Sequence, residues 1–117
     1  MHILVIEDDL KLLRLYTKVL RSAGHHVSQA ATIHAAREML AQHTFDVAIF
    51  DMTIGYHTGN ELISQFPYLQ SKGMRLIVIS GQDKHKAACE AIGVDYYLKP
   101  ISNAQLLAAV DSVAVRH

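Results

Sequence analysis

Four acids, a hydroxyl and a lysine stand out because each follows an apolar run. Glu7, Asp8 and Asp9 come directly after Ile3-Leu4-Val5-Ile6, and Asp51 directly after Val47-Ala48-Ile49-Phe50. Ser80 follows the run at 75–79, and Lys99 the run at 95–98. A carboxylate at the lip of a buried strand is costly unless a neighbour uses its charge. If these ends lie side by side, Glu7, Asp8, Asp51 and Lys99 share one pocket. The acids would repel one another unless a cation lay between them, and hard oxygen ligands with room for water suit Mg²⁺ better than zinc. A carboxylate beside Mg²⁺ and an ammonium can attack phosphorus and form an aspartyl phosphate. The metal and Lys99 would offset charge on the transferring phosphoryl group, while Ser80 would donate a hydrogen bond to one of its oxygens. Phosphoryl transfer asks a protein mainly for positioning and electrostatics, so this set suffices.

The elements that would position these groups alternate along the chain. Strands are expected at 3–6, 26–30, 47–50, 75–79 and 95–98, from short runs rich in apolar and β-branched residues. Helices are expected at 10–23, ended by Gly24, and at 33–42, capped by Thr32. Three more are expected at about 59–70, 84–92 and 103–113. Pro67 predicts that the first of these stops early or kinks, and Gly93 closes the second. Five β–α units in this order predict a doubly wound parallel sheet, with strands covered on both faces. In such sheets ligand sites lie outside the carboxyl ends of the strands, where all the singled-out polar residues fall. Asp9 suits a helix cap, and Tyr16 and Tyr97 suit packing.

With 117 residues the chain is read as one domain, residues 1–117. Eleven basic residues balance eleven acidic ones, which argues against a general nucleic-acid or membrane-surface role. No apolar run is long enough to span a bilayer, and no signal peptide precedes the charged cluster at Glu7. One cysteine, Cys89, excludes an internal disulfide and fits a reducing cytoplasm, so the expected location is cytoplasmic. The eight histidines show no metal-ligating spacing.

The residues Ile3-Leu4-Val5-Ile6-Glu7-Asp8-Asp9, Asp51 with Gly59 eight positions later, Ile79-Ser80, and Gly93-Val94-Asp95-Tyr96-Tyr97-Leu98-Lys99-Pro100 together resemble the receiver domain of two-component response regulators. The resemblance covers the whole chain. It implies a flavodoxin-like α/β fold of five parallel strands in the order 2-1-3-4-5 with five helices. It also implies that a histidine kinase or histidine phosphotransfer protein passes its phosphoryl group to Asp51. Asp8, Asp51 and the main-chain carbonyl of Thr53 would bind Mg²⁺ directly, and Glu7 mostly through water. Lys99 would contact the phosphoryl group, with a cis bond before Pro100. Ser80 and Tyr96 would form a switch pair that reshapes the face of the fourth helix, fifth strand and fifth helix, where a downstream effector docks. The protein would not be an enzyme beyond its own phosphotransfer and autodephosphorylation.

Departures from the family pattern are local. Glu7 replaces the commoner Asp, and Gly55 stands where proline is usual, which leaves Tyr56-His57-Thr58 open to partner-specific use. Thr53 and Gln82 occupy positions that tune phosphoryl hydrolysis in this family. Ile101, Gln105-Leu106 and Ala109 depart from the pattern of winged-helix regulators, and the Lys99-Pro100-Ile101 form looks more like receivers in phosphorelays or attached to kinases. An N-terminal receiver of a longer DNA-binding regulator is the alternative, as is a pseudo-receiver that binds partners without phosphorylation. An aspartate-nucleophile phosphatase of the haloacid dehalogenase type needs an acid two residues after the nucleophile, where Thr53 stands. A flavin carrier needs a Gly-rich phosphate loop where this chain has acids.

Overall fold

The computed structural model describes residues 1–51, 64, 66–83 and 85–116. Five parallel strands, β1 (His2–Ile6), β2 (His26–Ala30), β3 (Val47–Asp51), β4 (Arg75–Ser80) and β5 (Asp95–Leu98), form one sheet in the order β2-β1-β3-β4-β5. Helices α1 (Leu10–Ser22), α2 (Ile33–Gln42), α3 (Phe66–Ser71), α4 (Lys86–Ala91) and α5 (Asn103–Arg116) connect or follow them. The predicted α/β class and strand order are thus observed. The strand order reverses between β1 and β3, the switch point where Glu7 and Asp51 emerge.

Each central strand alternates between two cores. Ile3, Val5, Val47, Ile49, Ile77 and Ile79 pack on the side of α1 and α5, with Leu13, Tyr16, Leu106 and Val110. Leu4, Ile6, Ala48, Phe50, Leu76 and Val78 pack on the other side, with Ala36, Cys89 and Tyr96. A strand's period of two explains the division. It holds to the strand ends and one residue past β1: positions 7 and 51 fall in phase with the α1 face, and position 80 with the Tyr96 face.

Helix ends follow their capping chemistry. The Asp9 carboxylate accepts from the Lys11 and Leu12 amides at 2.9 and 3.3 Å, so Asp9 caps α1. Thr32 caps α2 through the Ala35 amide at 3.0 Å. Replacing Asp9 with alanine should lower the unfolding free energy by about 1 kcal/mol, read from a urea titration. An unchanged midpoint would mean that the cap contributes nothing. Gly24 and Gly93, at φ +94° and +86°, take the left-handed conformation that ends α1 and α4.

Two boundaries differ from expectation. The helical residues that hold Pro67 run to Ser71, one residue beyond the expected end. Helix α4 begins at Lys86, two residues later than expected, with His85 at its N-cap position and no side-chain cap there. Thr53, Gly55, Tyr56, His57, Thr58, Gly59 and Lys84 lie outside the described residues.

Candidate acidic pocket at the sheet switch point

Asp51 is the last residue of β3 and is only 1% exposed. It sits level with Ile79, which is itself level with Tyr97, so Lys99 emerges two residues further along β5. The Lys99 amide donates to the Ser80 carbonyl at 2.8 Å, and the Lys99–Pro100 peptide is cis. From that point the long Lys99 side chain reaches back and sets its Nζ 2.6 Å from Asp51 Oδ2. A buried carboxylate and an ammonium at this distance form a charge-assisted contact in a poorly hydrated place.

Glu7 lies on the other side of Asp51 and is fully buried. Its amide donates to the Ala30 carbonyl at 3.0 Å, which extends the β1–β2 ladder by one residue and fixes its position. Its Oε1 accepts from the Asp9 amide at 3.0 Å. Burial, followed by a hydrogen bond shared with the Asp51 carboxylate, pushes the Glu7 carboxyl up to about 8. The Asp9 amide opposes that rise, while the Asp51 charge and a hydrogen bond with Asp8 add to it. Both effects favour the protonated form of the Glu7 carboxyl beside Asp51. Asp8 is exposed at the mouth of the pocket.

The structure thus brings Glu7, Asp8, Asp51 and Lys99 together. Thr53 falls outside the described residues. Among those residues, no group of three or more His, Cys, Asp or Glu side chains is gathered around one point closely enough to hold a metal. Mg²⁺ asks for less than that, since it commonly takes one or two carboxylates and keeps several waters. The donors here are hard oxygens, and the Lys99 ammonium offsets only part of their charge. In kind, the residues fit Mg²⁺.

Ser80 and Tyr96 meet on the opposite face of the sheet. Both are buried, at 5% and 6% exposure. One residue links them: Ser80 Oγ accepts from the Gln82 amide at 3.1 Å, and the Tyr96 hydroxyl donates to the Gln82 carbonyl at 2.6 Å. The Gln82 backbone is a two-ended tie between hydroxyl and ring.

Sequence reasoning took Tyr16 only as packing, and it is buried at 4% exposure. Its phenol is also pushed up to about 12 by burial and then by the charges of Asp51, Glu7 and Asp9. Tyr16 therefore lies close enough to the acids, on the α1 side, for their charge to act on its phenol. The signal was available, since the strand period sends residues 7 and 51 to the face that α1 covers.

The chain is similar to known proteins along nearly its whole length. The profile of the response regulator receiver domain matches residues 3–111. The alginate biosynthesis transcriptional regulatory protein AlgB of Pseudomonas aeruginosa is 30% identical over 98% of this chain, which spans only 26% of that relative. The receiver domain of the Francisella response regulator 1452 superposes with a TM-score of 0.86 at 24% identity, covering 98% of this chain and 97% of that one. The response regulator TrrA of Thermotoga maritima, solved in complex with Mg(2+)-BeF, superposes with a TM-score of 0.82 at 18% identity, covering 96% and 97%. These two structures support the fold, and the profile match over most of the chain decides the family. The chain belongs to the response regulator receiver family of two-component systems.

Proposed function

We propose that this receiver accepts a phosphoryl group on Asp51 from a phosphohistidine of a kinase or phosphotransfer protein. The observation that carries the reading is the Lys99 ammonium 2.6 Å from a carboxylate that is 1% exposed. An Asp51 oxygen attacks phosphorus, a new O–P bond forms, and the N–P bond breaks. The electron pair leaves with the imidazole, which takes up a proton. Asp51, Asp8, the Thr53 carbonyl and, through water, Glu7 would hold Mg²⁺, which when bound supplies positive charge against the phosphoryl oxygens. Lys99 supplies a second positive charge, and Ser80 turns to donate to a phosphoryl oxygen. That turn releases the Gln82 amide and loosens the tie to Tyr96, which shifts the face formed by α4, β5 and α5. The domain is not an enzyme acting on other substrates; it undergoes phosphotransfer and loses its own phosphoryl group by hydrolysis.

A second reading concerns output. AlgB is named as a transcriptional regulatory protein and is several times longer than this chain, which favours a receiver that feeds a DNA-binding effector.

Incubation with acetyl phosphate and Mg²⁺ should add one phosphoryl group to the intact mass, and Asp51→Asn should add none. In a second arm, beryllofluoride with Mg²⁺, the complex held by the similarly folded TrrA, should move the amides of Ser80 and Tyr96. Wild type that stays unmodified and shows no shift would sink the phosphoacceptor reading.

A further inference from the structure

Helix α1 carries Lys11, Arg14, Lys18 and Arg21 and no acid. At 3.6 residues per turn these four fall within one narrow stripe. Among the described residues, no carboxylate pairs with any of them. The chain as a whole has no net charge, so the concentration is local. A repeat of one cation per turn with no counter-charge is unfavourable by itself, since like charges at this spacing repel.

Three of the four border a concave space. A cleft of about 480 Å³ lies between α1 and the edge strand β2, lined by Arg14, Thr17, Lys18, Arg21, Ser22 and Gln29. Two of its donors are anchored. Arg21 Nη2 donates to the Val27 carbonyl at 3.0 Å, which holds the guanidinium against β2. Gln29 Nε2 donates to Thr17 Oγ1 at 2.9 Å, and the buried Thr17 hydroxyl donates to the Leu13 carbonyl at 2.7 Å. The amide of Gln29 is thus fixed at the cleft wall with a second N–H to offer.

We propose that this cleft binds the phosphate chain of a polyphosphorylated ligand. A protein partner would need an apolar or aromatic anchor at the centre of the contact, and the lining contains none. Phosphate oxygens need only N–H and O–H donors, and guanidinium forks match them in geometry. Arg14 and Arg21 stand seven residues apart, about 10.5 Å along the helix. Linked phosphates place negative charge along that whole span, opposite Arg14, Lys18 and Arg21 alike. The cleft lies at the β2 edge and is separate from the Asp51 pocket on β3, so the proposal stands independently of the phosphoacceptor reading.

The test uses the isotope-labelled chain in low-salt, Mg²⁺-free, phosphate-free buffer, titrated with tripolyphosphate and, separately, with ATP. The expected result is saturable movement of the Thr17, Arg21 and Gln29 amides, with binding weakened by added salt. Equal affinities would assign the ligand to the phosphate chain alone, and tighter ATP binding would assign it to a nucleotide. The double variant R14Q/K18Q changes two exposed side chains and should weaken binding by roughly tenfold or more. K86Q, on α4, should leave it unchanged. Shifts centred on Ser80 and Lys99, equal loss in K86Q, or tighter binding of an oligoglutamate peptide than of tripolyphosphate would each overturn the proposal.

Discussion

Lys99→Ala is expected to slow phosphorylation of Asp51 by on the order of 10²-fold, the usual loss when one preorganised electrostatic contact to a transition state is removed. Lys99 Nζ already lies 2.6 Å from Asp51 Oδ2, so little reorganisation precedes the reaction. Stability should fall as well. Asp51 is almost fully buried, and removing Lys99 takes away the ammonium that faces its carboxylate while the Glu7 and Asp8 carboxyls stay beside it. The Lys99 side chain is 24% exposed, so the cost lies below that of a fully buried pair, at about 2 kcal/mol. Mg²⁺ affinity should stay the same or rise, because the ammonium that competes for Asp51 is gone. Lys99→Arg should not restore the rate, since a planar fork cannot occupy the place of a compact ammonium. The checks are an acetyl phosphate time course by intact mass and a Mg²⁺ titration by calorimetry. An unchanged rate would mean that Lys99 is only a structural counter-ion, and a loss of Mg²⁺ affinity would mean that its role is misassigned.

The architecture was legible because the sequence carries two periods that do not conflict. Short apolar runs such as residues 47–50 alternate with segments such as 10–23, whose apolar positions recur at helical spacing. Polar residues at the ends of the runs then pointed to one edge of the sheet. Helix α4 was less legible because no capping side chain marks its start. In the pocket, the strand period turns Glu7 toward the α1 face only if the strand pairing runs on past Ile6, which the sequence alone does not say. That is decided by the β1–β2 ladder, which extends through the Glu7 amide to Ala30, so that Glu7 is buried and Asp8 exposed. The Gln82 tie was beyond sequence reasoning for a similar reason, since both of its partners are reached through main-chain atoms. The basic stripe on α1 is visible in the spacing 11, 14, 18, 21. The cleft beside it appears only once β2 brings Gln29 against Thr17.

Mg²⁺ binding should strengthen about tenfold per pH unit below pH 8 and release one proton per site, with Glu7 as the source. Burial and the hydrogen bond to Asp51 hold the Glu7 carboxyl near 8, against an ordinary value of 4.5. Occupation of the pocket by a divalent cation favours the ionised acid, so the proton must leave. Glu7 and Asp51 share the site, so the value observed belongs to the pair. The same shift acts on folding. A carboxyl whose folded value lies above its unfolded value stabilises the fold fully below about 4.5. That contribution is lost progressively as pH rises through about 8. The metal-free protein should therefore become less stable between pH 5 and pH 8. Added Mg²⁺ should offset the loss most at the alkaline end. Glu7→Gln keeps the shape and removes the titration, so its metal-free stability should be flatter across that range and its Mg²⁺ binding should release no proton. Calorimetry in buffers of different ionisation enthalpy counts the protons, and thermal melts at pH 5, 6.5 and 8 follow the stability. If wild type binds Mg²⁺ equally at pH 6 and pH 8 and matches Glu7→Gln in both experiments, Glu7 is ionised in the metal-free pocket. In that case Lys99 alone balances the charge on Asp51.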